Sequence, residues 1–143
     1  MNESYDLERF LTAQDKDYAI ALTEIKNGQK KSHWMWYIFP QIKGLGYSEL
    51  SQFYAINDLH EAQAYLEHPI LGERFIHISN ELFKLPLHDA RSIFGYPDDL
   101  KLRSSLTLFQ ALPHTNPIFQ KLLTKFFQGK KDDRTLQILA NTS

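Results

Sequence analysis

Residues 30–41 read KKSHWMWYIFPQ, with two lysines, a hydroxyl and an imidazole set directly before two tryptophans, a tyrosine and a phenylalanine. Whether this stretch is helix or strand decides the fold class. As a strand it would place His33, Met35, Tyr37 and Phe39 on one face and Trp34, Trp36 and Ile38 on the other. Both faces are largely apolar, so alternation does not arbitrate. The ends do. Ser32 is a good N-cap and Pro40 disfavours helical geometry at Phe39, which fits a helix of about two turns between them. No strand partner is apparent elsewhere in the chain.

Working outward, the same helical grammar recurs. From Asp6 to Asn27 the residues Leu7, Phe10, Leu11, Tyr18, Ala21, Leu22 and Ile25 step by three and four, with room for a break near Asp15 and with Gly28 placed to close the stripe. Gly44 and Gly46 turn the chain, Ser48 with Glu49 starts a short helix, and Asn57 or Asp58 caps LHEAQAYL at 59–66. Pro69 suits the first turn of a helix whose face runs from Ile70 through Phe75, Ile78 and Leu82 to Leu85. FGYPDD at 94–99 reads as a loop whose Asp98 or Asp99 caps the helix at 100–112. NPIFQKLLTKFFQG at 116–129 repeats the pattern of Asn cap, Pro in the first turn and Gly at the end, and DDRTLQIL at 132–139 gives one last short helix. The expectation is an all-α fold, a single compact domain over residues 1–143 with about six to eight helices.

Composition narrows the function classes. With 43% hydrophobic and 13% aromatic residues, 143 residues suffice for one packed core. Sixteen basic against seventeen acidic residues leave a net charge of −1, so neither nucleic acid nor a membrane surface is expected as a partner. The absence of cysteine excludes disulfides, thiol nucleophiles and thiolate metal sites, and fits a reducing compartment. MNESYDLERF at the N-terminus lacks the basic-then-apolar layout of a secretory signal, and no apolar run approaches the roughly 20 residues a membrane helix needs. A cytoplasmic location is therefore expected.

Two polar constellations could carry chemistry. Lys30, Lys31, Ser32 and His33 stand at the amino end of the short helix, where free N–H groups and the dipole favour anions and make cations unfavourable. A phosphate or carboxylate held there by Ser32, the N–H groups, Lys31 and His33 would resolve the conflict, while two lysines pointing into water would be the plainer outcome. On a helix Trp34 and Trp36 lie about 200° apart, so one of them must meet a second surface. Farther on, Leu102, Leu106 and Phe109 form a core stripe, beside which Lys101, Ser104 and Ser105 form a polar strip at i, i+3 and i+4. Neither serine has the spacing of a known nucleophile motif, so anion holding outranks catalysis for both. Metal and cofactor sites have no support: six scattered histidines form no zinc or di-iron spacing, and GLG at 44–46 lacks the rest of a phosphate-loop or dinucleotide fingerprint. Near the C-terminus Lys121, Lys125, Lys130 and Lys131 are balanced by Asp132 and Asp133 and read as a solvated face.

The stretches DLERFLTAQ, GQKKSHWMWYIFPQIKGLGYS, EAQAYLEHPILGERF and FGYPDDLKLRSSLTLF span nearly the whole chain. Together they resemble the bacterial family catalogued as domain of unknown function 1810, whose members sometimes carry a calpastatin-like label. The resemblance implies a compact all-helical fold and no established activity. Its signature stretches coincide with both constellations, including Lys31, Ser32, His33, Trp34, Trp36 and Gln41 in the first and Lys101, Ser104, Ser105 and Thr107 in the second. Leucine would fill a core as well as these polar groups do, which moves the reading from packing toward a site and leaves both open.

The expectation carried forward is one pocket, lined by Lys31, Ser32, His33, Gln41, Lys101, Ser104 and Ser105 and walled by Trp34, Trp36 and Phe39. It would take a small anionic ligand with a flat apolar part, such as a nucleotide or phosphorylated metabolite. His33 is the acid/base candidate for a hydrolysis, because free imidazole titrates near neutrality. The alternative is an interaction or self-association domain that docks through the aromatic segment 33–41. Oligomeric state is open.

Overall fold

The structure, a computed structural model, describes residues 5–142; the first four residues of the N-terminal stretch lie outside it. Nine helices form among the described residues: α1 (Glu8–Lys26), α2 (Met35–Ile38), α3 (Glu49–Phe53), α4 (Leu59–Glu67), α5 (Leu71–Lys84), α6 (Ala90–Phe94), α7 (Asp98–Gln110), α8 (Ile118–Phe127) and α9 (Asp133–Thr142). The only β-type pairing among them is an isolated parallel bridge between Ile42 and Ile56. The fold class is all-α, with one helix more than expected.

The additional helix is α6. It lies in HDARSIFG, where five helical residues are too few for a periodic stripe; Asp89 accepts from the Arg91 N–H and Gly95 ends the turn at φ 79°. The expected Asp98 or Asp99 cap is not made, because α7 starts two residues earlier, after Pro97, and takes both acids into its first turn. At α3, α4 and the end of α1 the caps fall where the side chains predict. Ser48 accepts from the Ser51 N–H and Asp58 from the Glu61 N–H, and Gly28 takes the left-handed conformation after α1. No break occurs near Asp15, and α1 runs unbroken for 19 residues. Gln14, buried in its middle, donates to the Tyr37 carbonyl at 2.7 Å and the Tyr65 hydroxyl at 2.9 Å, which locks α1 onto α2 and α4.

One hydrophobic core runs from Phe10 on α1 to Leu139 on α9. Its centre is a chain of rings in which Phe75 meets Phe109 at 4.7 Å and Phe119 at 5.1 Å, and Tyr65 meets Phe10 at 5.0 Å. Helix α7 is the axis: Leu102, Leu106, Leu108 and Phe109 are fully buried, and Ser104, Ser105 and Thr107 are buried as well. A solvent-facing polar strip on α7 was the expectation. The packing of α4, α6, α8 and α9 around this helix explains the difference, since together they bury its hydroxyls and leave Lys101, Arg103 and Gln110 only partly exposed. No helix among the described residues is long and apolar enough to cross a membrane.

Candidate functional site

The first constellation is organised by a carboxylate from its own chain. Glu24, on α1, accepts from the Lys31 N–H at 2.8 Å, the Ser32 N–H at 3.0 Å, the Ser32 hydroxyl at 2.5 Å and the Trp34 indole N–H at 2.8 Å. Partial burial works to raise its pKa, but the hydrogen bonds from Ser32, Lys31 and Trp34 outweigh that and hold the carboxyl down at about 2. An anion does meet the N–H groups before α2, and it is Glu24. Ser32 is thus not the N-cap of α2, which begins three residues later after Trp34 and has a single turn instead of two.

Trp34 is fully buried against Phe39 and Phe94. Lys31 and His33 are exposed. Lys30 is the lysine that turns inward: its side chain is only 7% exposed, its ammonium lies 2.8 Å from Asp98, and it stacks 5.0 Å from the Trp34 ring centre.

Asp98 is the hinge between the two constellations. Its second oxygen lies 3.2 Å from the Lys101 ammonium, and that ammonium sits 4.9 Å from the ring centre of Trp36. The stretches around positions 30–36 and 98–104 therefore do meet, through Lys30, Asp98, Lys101 and Trp36. Of the two tryptophans, Trp34 faces the core and Trp36 the second surface, as the 200° offset requires.

Trp36 lines a cleft of about 460 Å³ with Gln41, Lys101 and Ser104 among the expected residues. Four of the expected ligand-site residues thus share it. Lys31, Ser32, His33, Trp34 and Ser105 do not line it. Ser105 is fully buried with its hydroxyl unpaired, and Ser104 donates to the Leu100 carbonyl at 3.2 Å.

The opposite wall is the loop after α2. The Lys43 N–H donates to the Ile56 carbonyl and the Ile56 N–H to the Gln41 carbonyl, both at 2.8 Å, so 41–43 is pinned to the segment before α4. The chain can then turn only through glycine. Gly44 has φ 107°, and a Cβ on Gly46 would lie 2.6 Å from the Ser51 hydroxyl oxygen.

Asp132 and Arg134 close the cleft, and periodicity in the sequence did not single them out. Asp132 caps α9, accepting from the Thr135 hydroxyl at 2.6 Å and N–H at 3.0 Å, while its own N–H donates to Thr107 on α7 at 2.9 Å. That last bond gives Thr107 a role: it fixes the start of α9 against α7. A hydrophilic DD pair ahead of an apolar run was the available signal for the cap. Nothing local signalled which residues it would face.

The family model described as protein of unknown function (DUF1810) matches residues 4–139. The chain belongs to the DUF1810 family. Among solved structures, the conserved hypothetical protein Rv1873 from Mycobacterium tuberculosis is similar at 43% identity with a TM-score of 0.94, over 96% of this chain and 99% of that one. No curated protein matches this chain. DUF1810 membership thus agrees with the helical fold and supplies no activity, so the function has to be argued from the cleft.

Proposed function

We propose that the cleft beside Trp36 binds a small anionic ligand with a flat apolar part, a nucleotide or a phosphorylated metabolite. The observation that carries this reading is the joint placement of an indole and cations on a concave surface. Trp36 and Tyr54 supply aromatic wall, and Lys43, Lys101 and Arg134 supply positive charge against the single carboxylate of Asp132. Lys43 and Arg134 have no carboxylate within 4.0 Å among the described residues, so their charge is available to a phosphate. Gln41, Ser51 and Gln52 add neutral donors and acceptors for orientation.

The reading is one of binding. Hydrolysis through His33 would need its imidazole at the ligand, and His33 is exposed outside the cleft lining. Docking through residues 33–41 is disfavoured by the same burial that makes this segment core, since Trp34, Phe39 and Ile38 are 2% exposed or less.

A thermal-shift panel of nucleotides and phosphorylated metabolites tests the proposal. A bound compound at about a hundredfold its Kd should stabilise the protein by about 2.7 kcal/mol and raise Tm by several degrees. The rise should be lost in Trp36→Ala and Lys101→Ala and kept in Lys31→Ala. A panel with no response, or a response indifferent to Trp36 and Lys101, sinks the proposal.

A further inference from the structure

A second basin of about 500 Å³ borders the first, and the two share Asp132 and Arg134 in their linings. It is formed where the end of α8 passes into α9: Gly129 takes φ 78° to turn the chain, and Lys130 and Lys131 follow. From α7, Arg103 reaches the same basin. The basins lie on different sides of α7, since Arg103 is about 200° around the helix from Lys101, and the segment 132–134 connects them.

Charge sets this region apart from the rest of the molecule. The two linings together hold six cations, Lys43, Lys101, Arg103, Lys130, Lys131 and Arg134, against the carboxylates of Asp132 and Asp133, in a protein of net charge −1. Lys101 is the one of these with an ion pair, to Asp98; the other five have no carboxylate within 4.0 Å among the described residues. Surface lysines alone would be an ordinary solvated face.

Arg103 is the exception to that description. Its Nε is buried with no hydrogen-bond partner, while the guanidinium packs 5.7 Å from the ring centre of Phe127. A buried N–H donor without an acceptor is costly, so this guanidinium is under-satisfied by its own chain, and an anion in the basin it borders would pair with its charge.

We infer that the ligand is a nucleotide carrying two or more phosphates, with its base in the cleft beside Trp36 and its phosphate chain passing Arg134 to end among Arg103, Lys130 and Lys131. This rests on the cleft reading above and adds to it the chemical class of the ligand. A monophosphate would engage only the first basin. Each further phosphate adds charge-assisted bonds in the second, and Arg134, common to both linings, serves the point where the chain crosses.

Titration calorimetry with AMP, ADP and ATP, and with the guanosine series, reads the inference directly. For the wild-type protein, affinity should rise on the order of tenfold with each added phosphate. Lys130→Ala/Lys131→Ala removes two exposed side chains, so the fold is retained. That variant should bind the monophosphate as the wild type does and keep no more than about a twofold gain per phosphate. An equal gradient in both proteins, or no gradient in the wild type, overturns the inference. If the monophosphate still binds and is lost in Trp36→Ala, the cleft reading survives that outcome. If no nucleotide in either series binds, the inference is overturned and the cleft keeps only non-nucleotide phosphates.

Discussion

The Glu24 carboxylate, on the first helix, lies 2.8 Å from the indole nitrogen of Trp34, the largest fully buried side chain in the core. The indole N–H needs an acceptor where it is buried, and Glu24 supplies it while also tying down Ser32 and the backbone at 31–32. Glu24→Ala strips three N–H groups and a hydroxyl of their acceptor. Because the site is only partly buried and water can enter, the expected loss is on the order of 2–3 kcal/mol, read as a lower urea midpoint with unchanged slope.

The same carboxylate predicts an acid-sensitive stability. Its pKa falls from 4.5 in the unfolded chain to about 2 in the fold, so its contribution is complete above about pH 4.5 and disappears as pH drops toward 2. After allowance for solvent screening, about 1–2 kcal/mol should be lost across that window. Glu24→Gln cannot titrate, so the difference in unfolding free energy between wild type and variant should shrink steadily between pH 5 and pH 2.5. A difference independent of pH would show that the carboxylate is not held in its charged form.

Gly72 tests how closely α4 and α5 approach. A Cβ at this position would lie 2.0 Å from the carbonyl oxygen of Leu66 and 2.9 Å from its carbon, both backbone atoms that cannot swing aside. In an open helix Gly→Ala would stabilise by about 1 kcal/mol through propensity alone. Here the sign should reverse, with Gly72→Ala losing on the order of 2–3 kcal/mol and several degrees of Tm as the two helices are forced apart.

Most of the architecture was legible because its signals are local. Ser48, Asp58, Gly28 and Gly129 act within a turn of where they stand, and the α7 stripe of Leu102, Leu106 and Phe109 needs only the helical period. Glu24 was not legible as a ligand of Ser32 and Trp34, since on α1 it looks like any polar residue on an outward face. Its role depends on how the chain returns after Gly28, which no periodicity encodes. Ser105 fell the same way: its place beside Lys101 on the helical wheel is right, but the helices packed on α7 seal it in the core while Lys101 and Ser104 reach the cleft. Trp36 and Lys101 do lie together, with 4.9 Å between ring centre and ammonium, whereas Lys31, Ser32, His33 and Ser105 stay out of the cleft. Arg134 and Asp132, brought in by α9, were not anticipated there.

A buried ion pair ties α1 to α4 and to the chain leaving α3. Arg9 lies 3.0 Å from Glu61, with side chains 7% and 0% exposed, and its other nitrogens donate to the carbonyls of Phe53 and Ala55 at 2.8 Å. Glu61 in turn accepts from the N–H and the side-chain amide of Asn57. Arg9→Met would leave a carboxylate buried without its partner, at a cost of about 3–5 kcal/mol. The double variant Arg9→Met/Glu61→Gln should recover part of that loss, because the amide oxygen of Gln still accepts from Asn57 and no charge is stranded. Equal stability of the single and double variants, measured by denaturant unfolding, would mean that Glu61 is already neutralised by other contacts.

Asp98 should move stability and binding in opposite directions. It stands 2.8 Å from Lys30 and 3.2 Å from Lys101, so a single carboxylate neutralises a nearly buried ammonium and one that faces the proposed ligand. With Asp98→Asn, Lys30 loses its counter-charge and keeps only neutral acceptors, the Ser32 carbonyl at 2.5 Å and the new amide oxygen, beside the Trp34 ring, and the fold should lose on the order of 1–2 kcal/mol. Lys101, released from competition, should then hold a phosphate more tightly, by roughly three- to tenfold at low salt, with the gain shrinking as ionic strength rises. Unfolding curves and nucleotide titrations on the same preparation measure both. A variant that is less stable and also binds more weakly would place Asp98 among the groups that shape the cleft, and would remove its role as a competitor for the Lys101 charge.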